Sequence, residues 1–159
     1  MRRKDKQITD PKIIDEIFQN AECCRLGFVD NGIAYIVPMS YGFVKENGST
    51  CLYFHSSPKG RKIDLIQQNG KASFEIEANY RIKPGDQACK YSCYYQSVIG
   101  HGTITLLTEE QDKQRALRCV MQHYSQREDW EFLPKMLPLV VGIRLEIEEM
   151  TAKGNQPQS

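Results

Sequence analysis

Two Asn-Gly pairs, Asn31-Gly32 and Asn47-Gly48, limit what this chain can become more than any other feature. Each lies between short runs rich in apolar and β-branched residues. That pattern marks a tight hairpin, whose favoured turn needs positive φ at both central residues. The spacing predicts strands over 24–30 and 33–41, then over 41–44 and 50–54. Pro38 falls inside the second of these and has no N–H to give to a ladder, so that strand must be interrupted or lie at a sheet edge. Further strands are expected over 72–77, 94–107 and 139–150. Gly100 and Gly102 inside the long one predict a bulge or a close approach. Asp10-Pro11 opens a helix that buries Ile13, Ile14, Ile17 and Phe18. Thr108–Gln111 has capping-box spacing and opens another, lined by Leu117, Val120, Met121 and Tyr124. Residues 78–91 read as an inserted loop. The fold class is therefore α+β and mainly β: about six antiparallel strands forming a small barrel with flanking helices.

With 159 residues the chain is read as one domain, 1–159, with a polar arm over 1–9 and a flexible tail over 153–159. Its 21 basic and 20 acidic residues nearly cancel, which argues against nucleic acid as a partner. No apolar run approaches the ~20 residues of a membrane span. Met1-Arg-Arg-Lys-Asp-Lys-Gln has no apolar stretch behind its charges, so a cytoplasmic protein is expected, with no membrane partner. Six cysteines are present, none in C-x-x-C spacing, and no metal site is assigned. Cys51 and Cys119 read as core; of Cys23 and Cys24, at most one should face inward.

Residues 51–62, Cys-Leu-Tyr-Phe-His-Ser-Ser-Pro-Lys-Gly-Arg-Lys, carry most of the chemistry. A strand runs into a turn that opens a helix, with Ser57 as its expected cap and Pro58 at its first position. The free amides of that turn, ringed by Lys59, Arg61 and Lys62, suit a phosphate. The glycine spacing of a Walker loop or a dinucleotide fingerprint is absent. A helix start that happens to be basic is the plainer alternative. His55 is the leading candidate for a functional side chain and His101 the second; His123 is expected at the surface near a helix end.

In this order, Ile36-Val-Pro-Met-Ser-Tyr41, Leu52-Tyr-Phe-His-Ser-Ser-Pro-Lys-Gly-Arg-Lys62 and Tyr95-Gln-Ser-Val-Ile-Gly100 resemble the FMN-binding split-barrel family that includes pyridoxamine 5′-phosphate oxidase. Within it the chain is most similar to the branch related to 5-nitroimidazole resistance proteins. The resemblance implies a six-stranded antiparallel split barrel, a homodimer, and FMN in clefts between subunits. It implies that the strand Ile36–Tyr41, with Pro38, Met39, Ser40 and Tyr41 as binding residues, runs along the flavin ring, its backbone offering hydrogen bonds to the polar edge and Met39 or Tyr41 covering one face. His55 and Ser56, with Ser57, would touch the ribityl chain and phosphate, and Arg61 and Lys62 would hold the phosphate. Lys59 is added from its place in the turn. Tyr95 or Ser97 would close the site, from either subunit.

The activity implied is reduction of a small electron acceptor such as a nitroaromatic, with a reduced nicotinamide as possible donor and His55 as the catalytic group. A non-catalytic flavin- or haem-binding protein is the alternative. Pyridoxamine phosphate oxidation ranks third, because the final strand offers only Arg144 where that enzyme class has an Arg- and His-containing segment.

Overall fold

A computed structural model describes residues 3–125, 127 and 129–155. Eight strands form one antiparallel sheet: β1 (Gln7–Ile8), β2 (Cys24–Asp30), β3 (Ile33–Met39), β4 (Gly42–Glu46), β5 (Ser49–Ser56), β6 (Lys71–Lys83), β7 (Ser92–Leu107) and β8 (Val141–Asn155). Three α-helices accompany it: α1 (Pro11–Asn20), α2 (Arg61–Asn69) and α3 (Glu110–Ser125). The strand order is β3-β2-β6-β7-β8-β5-β4, with β1 paired to β8 outside this path.

The two edges of the path, β3 and β4, are joined directly by Ser40 and Tyr41. A link of two residues spans no more than about 10 Å. The sheet must therefore roll until its opposite edges approach, which makes an unclosed, split barrel. Both Asn-Gly turns take the expected form: Asn31 and Asn47 have φ 51, and Gly32 and Gly48 have φ 81 and 79. Pro38 does lie on an edge strand, opposite Arg25 of β2.

The barrel interior is filled by Leu26, Phe28, Leu52, Phe54, Phe74, Ile76, Val98, Ile104, Ile143 and Leu145, with Ile17 and Phe18 of α1 packed among them. α1 starts as its sequence requires. Pro11 is at the first position and the Asp10 carboxylate accepts from the Lys12 amide at 2.9 Å. Of the two adjacent cysteines, Cys24 is the one that faces inward. On the far side of β5, Cys51 and Tyr53 pack against Ala116 and Cys119 of α3. Gly42 permits this contact, since a Cβ there would fall 2.8 Å from Cys119 Sγ.

Several expectations change. Strands number eight rather than about six: each of the seven spans expected above is a strand, and Gln7–Ile8 adds another by pairing with Lys153–Ala152. Part of the N-terminal arm is thus sheet, and so are residues 153–155 of the expected tail; 1–2 and 156–159 lie outside the described residues. The inserted loop shrinks to 84–91, because Arg81, Ile82 and Lys83 pair with Tyr94, Cys93 and Ser92 beyond a bulge at Asn79 and Tyr80. That bulge breaks the alternation by which a strand is read. The glycine pair behaves as expected: β7 shifts register against β8 between His101 and Gly102.

Candidate functional site

α2 begins three residues later than its sequence suggests, at Arg61 rather than Pro58. Gly60 turns the chain with φ 128, a conformation that favours glycine, and no side chain caps the helix. Ser57 is therefore not a cap, and Ser57, Pro58 and Lys59 form an exposed connection. The Gly60 carbonyl takes the amides of Ile63 (2.8 Å) and Asp64 (3.2 Å). Arg61 and Lys62 stand at the first two helical positions, whose amides have no place in the helical ladder. The delay brings charge and open amides closer together than a start at Pro58 would.

The start of α2 meets the β2–β3 hairpin. The Arg61 guanidinium lies over the Tyr35 ring, 4.6 Å from its centroid, and its Nε donates to Asp30 Oδ2 at 2.5 Å. Lys59 and Lys62 have no ion-pair partner among the described residues. A cavity of 730 Å³ opens beside this contact, lined by Asp30, Asn31, Arg61, Asp64, Gln68 and Lys71 among others.

Alternation along β3 decides which side chains face out. Met39 and Tyr41 are buried in the core, whereas Ala34, Ile36, Pro38 and Ser40 are exposed, Ile36 to 64%. Tyr41 is 0% exposed and its hydroxyl donates to the Phe18 carbonyl at 2.6 Å, with the Ala21 carbonyl at 3.5 Å. Burial raises its phenol far above the usual value, so it stays a donor. Met39 and Tyr41 thus have no free face to lay against a ring, contrary to the expectation for them. The outward surface of β3 is Ala34, Ile36 and Pro38 instead.

His55 shares a strand face with Cys51 and Tyr53, the face covered by α3, and pairs with Gly142. It is half-buried, and its Nδ1 is sealed from solvent without a hydrogen-bond partner. Burial pushes its pKa below the ordinary imidazole value. Ser56 points inward and is buried. Tyr95 and Ser97 sit on β7, separated from β3 by β2 and β6. Within one chain the fold does not bring them to Arg61. Ser97 is buried between Glu77 and Lys153, and Tyr95 carries the Lys153 ammonium 5.9 Å above its ring. His101, further along β7, is exposed, with Glu149 3.9 Å from its Nε2.

His123 is half-buried rather than free at the surface. Its Nε2 is 2.9 Å from the Ala21 carbonyl and its ring packs on Tyr41 at 4.6 Å. Arg144 is fully engaged: Nε donates to Glu46 (3.0 Å), one Nη to Glu146 (3.0 Å) and the other to Cys51 Sγ (3.0 Å). Glu46 also takes Arg115 and the Tyr53 hydroxyl. Burial works to raise the Glu46 carboxyl, but these donors outweigh it and hold the group below the usual range.

Sequence reasoning missed Asp30 and Tyr35, because no spacing rule links a hairpin to a helix N-terminus about 30 residues later. Ile36 lies in the strand expected along the ring, and alternation with Pro38 turns its side chain outward.

Residues 10–154 match the family described as pyridoxamine 5′-phosphate oxidase. The chain belongs to this family. Comparison with curated proteins gives no match. Among solved structures, a candidate 5-nitroimidazole antibiotic resistance protein from Bacteroides thetaiotaomicron is 26% identical, with a TM-score of 0.79 over 94% of this chain and 90% of that one. The flavocytochrome Anf3 from Azotobacter vinelandii (19% identity, TM-score 0.79, 98% and 72% covered) shares the fold. So does an FAD- and heme-binding protein from Mycobacterium smegmatis (17%, 0.80, 97% and 76%).

Proposed function

We propose that this protein binds FMN in a cleft between two copies of the chain and reduces a small electron acceptor such as a nitroaromatic. The observation that carries the reading is the contact of Arg61 with Tyr35, which joins the cationic helix start to the edge strand. The family supports it, as does likeness to a protein named for 5-nitroimidazole resistance.

The residues present fit such a group. Ala34, Ile36 and Pro38 offer a flat apolar bed, and the unpaired edge of β3 leaves backbone groups for a polar ring edge. Arg61, Lys62 and Lys59 supply charge for a phosphate, with the first amides of α2 beside them. Tyr95 and Ser97, separated from β3 by two strands in the same chain, would come from the second copy. FMN supplies the hydride or electron transfer when bound, with a reduced nicotinamide as the proposed donor. His55, neutral at physiological pH, would hold a proton on its ring near the acceptor. Pyridoxamine phosphate oxidation is disfavoured by Arg144, whose guanidinium is already tied to Glu46, Glu146 and Cys51.

The test is the absorption spectrum of the purified protein before and after adding FMN. A flavin band without a Soret band is expected, bleached by reduced nicotinamide and restored by a nitroaromatic. Protein that stays colourless with FMN present refutes the reading.

A further inference from the structure

An arginine that binds phosphate works best when its plane is fixed before the ligand arrives, because each free rotamer must otherwise be frozen on binding. Arg61 is fixed in two ways. The Tyr35 ring lies under its guanidinium at 4.6 Å and sets the plane. Its Nε donates to Asp30 Oδ2 at 2.5 Å and sets the rotation within that plane. Asp30 is itself restrained: its other oxygen accepts from Asn31 Nδ2 at 2.9 Å, and the carboxylate side chain is only 17% exposed. Asn31 and Gly32 form the hairpin turn, so this carboxylate is held where the β2–β3 turn begins.

Because Nε is the atom engaged, the two terminal Nη groups have no hydrogen-bond partner among the described residues. An end-on pair of N–H donors is the fork that matches two oxygens of a phosphate monoester.

We propose that Asp30, with Tyr35 beneath, is a positioning residue that presets Arg61 for the phosphate of the cofactor, so that it governs selectivity for the phosphorylated flavin over the unphosphorylated one. The inference rests on the FMN reading above and adds to it the residue that orders the anchor. Asp30 acts through Arg61 and does not touch the ligand. Its negative charge opposes a phosphate dianion, so two consequences of removing it pull in opposite directions. A positioning role means that loss of the acceptor oxygen matters more than loss of the charge.

The experiment titrates apo protein with FMN and, separately, with riboflavin, following flavin fluorescence at fixed ionic strength. The proteins are the unmodified chain, Asp30→Ala, Asp30→Asn and Arg61→Ala. Asp30→Ala is expected to weaken FMN roughly tenfold, a factor within the ordering cost of one long side chain, with riboflavin affinity unchanged. Asp30→Asn keeps an acceptor oxygen for Nε and is expected to restore FMN affinity to the original value or above it. Arg61→Ala should lower the FMN-to-riboflavin ratio at least as far as Asp30→Ala does.

If both Asp30 variants tighten FMN, Asp30 is a competing counter-ion and the inference is overturned while the FMN reading survives. An Asp30→Ala ratio equal to that of the unmodified chain overturns it equally, again leaving the FMN reading intact if Arg61→Ala still loses FMN. An unmodified chain that binds neither flavin removes both at once. Unchanged riboflavin affinity in each variant serves as the check that the fold is retained.

Discussion

Replacing Tyr41 by Phe separates a residue that builds the fold from one that lines a cofactor. The Tyr41 hydroxyl is buried and donates to the Phe18 carbonyl at 2.6 Å. Phe18 lies in the last turn of α1, where carbonyls lack a partner within the helix. The neighbouring Ala21 carbonyl keeps its contact with His123 Nε2 at 2.9 Å, so the substitution orphans essentially one acceptor. The Tyr41 amide is unaffected, since it donates to the Tyr124 hydroxyl at 3.2 Å. An unsatisfied buried acceptor costs about 1–3 kcal/mol. For a chain of this size 1 kcal/mol shifts Tm by about 2–4 °C, so Tyr41→Phe should lower Tm by roughly 2–12 °C. The assay is thermal unfolding followed by circular dichroism, with flavin content measured on the same samples. Flavin per folded chain should stay constant. A variant that melts with the original protein yet loses flavin would refute the reasoning, and would return Tyr41 to the wall of the cofactor site.

The combined substitution Arg61→Ala and Lys62→Ala should release FMN while leaving the fold intact, since each charge-assisted hydrogen bond lost is worth about 1.5–3 kcal/mol; equilibrium dialysis measures it. Burial holds His55 and His123 below the ordinary imidazole pKa, so acid protonates the unfolded chain first. Their contribution to stability is complete above about pH 6.5 and is lost as pH falls below it; His123→Gln should make the decline of Tm with acid shallower. Gly102→Ala would drive a Cβ into the Glu146 carbonyl of β8 and should cost about 1–3 kcal/mol in denaturant unfolding. Glu46→Ala should cost about 1–3 kcal/mol as well, because Arg144 and the Tyr53 hydroxyl lose a common acceptor.

Local chemistry was legible wherever one residue type can satisfy a backbone demand. The two Asn-Gly turns, the Asp10-Pro11 helix start and the edge position of Pro38 follow from φ preferences and a missing donor. The register shift at Gly102 belongs here too. Inference failed where two local signals competed. Ser57-Pro58 looks like a cap and first turn, but Gly60 at φ 128 holds the helix back until Arg61. Likewise the bulge at Asn79 hid strand residues 78–83 inside an apparent loop.

The candidate site divides along the same line. Lys59, Arg61 and Lys62 were visible as a cationic cluster because they lie close together in the chain. The inward turn of Met39 and Tyr41 was not, since it depends on which face of β3 meets the core. Nor was the hold of Asp30 and Tyr35 on Arg61.

Strands, turns and the charges placed beside one another are written in the linear order of residues, because each depends on neighbours within a few bonds. Folding alone settles which faces are covered, which cations are already paired, and that the two sheet edges are drawn together through Ser40 and Tyr41. Those outcomes depend on contacts between residues far apart in the chain, whose burial and pairing energies exist only once the sheet has rolled up.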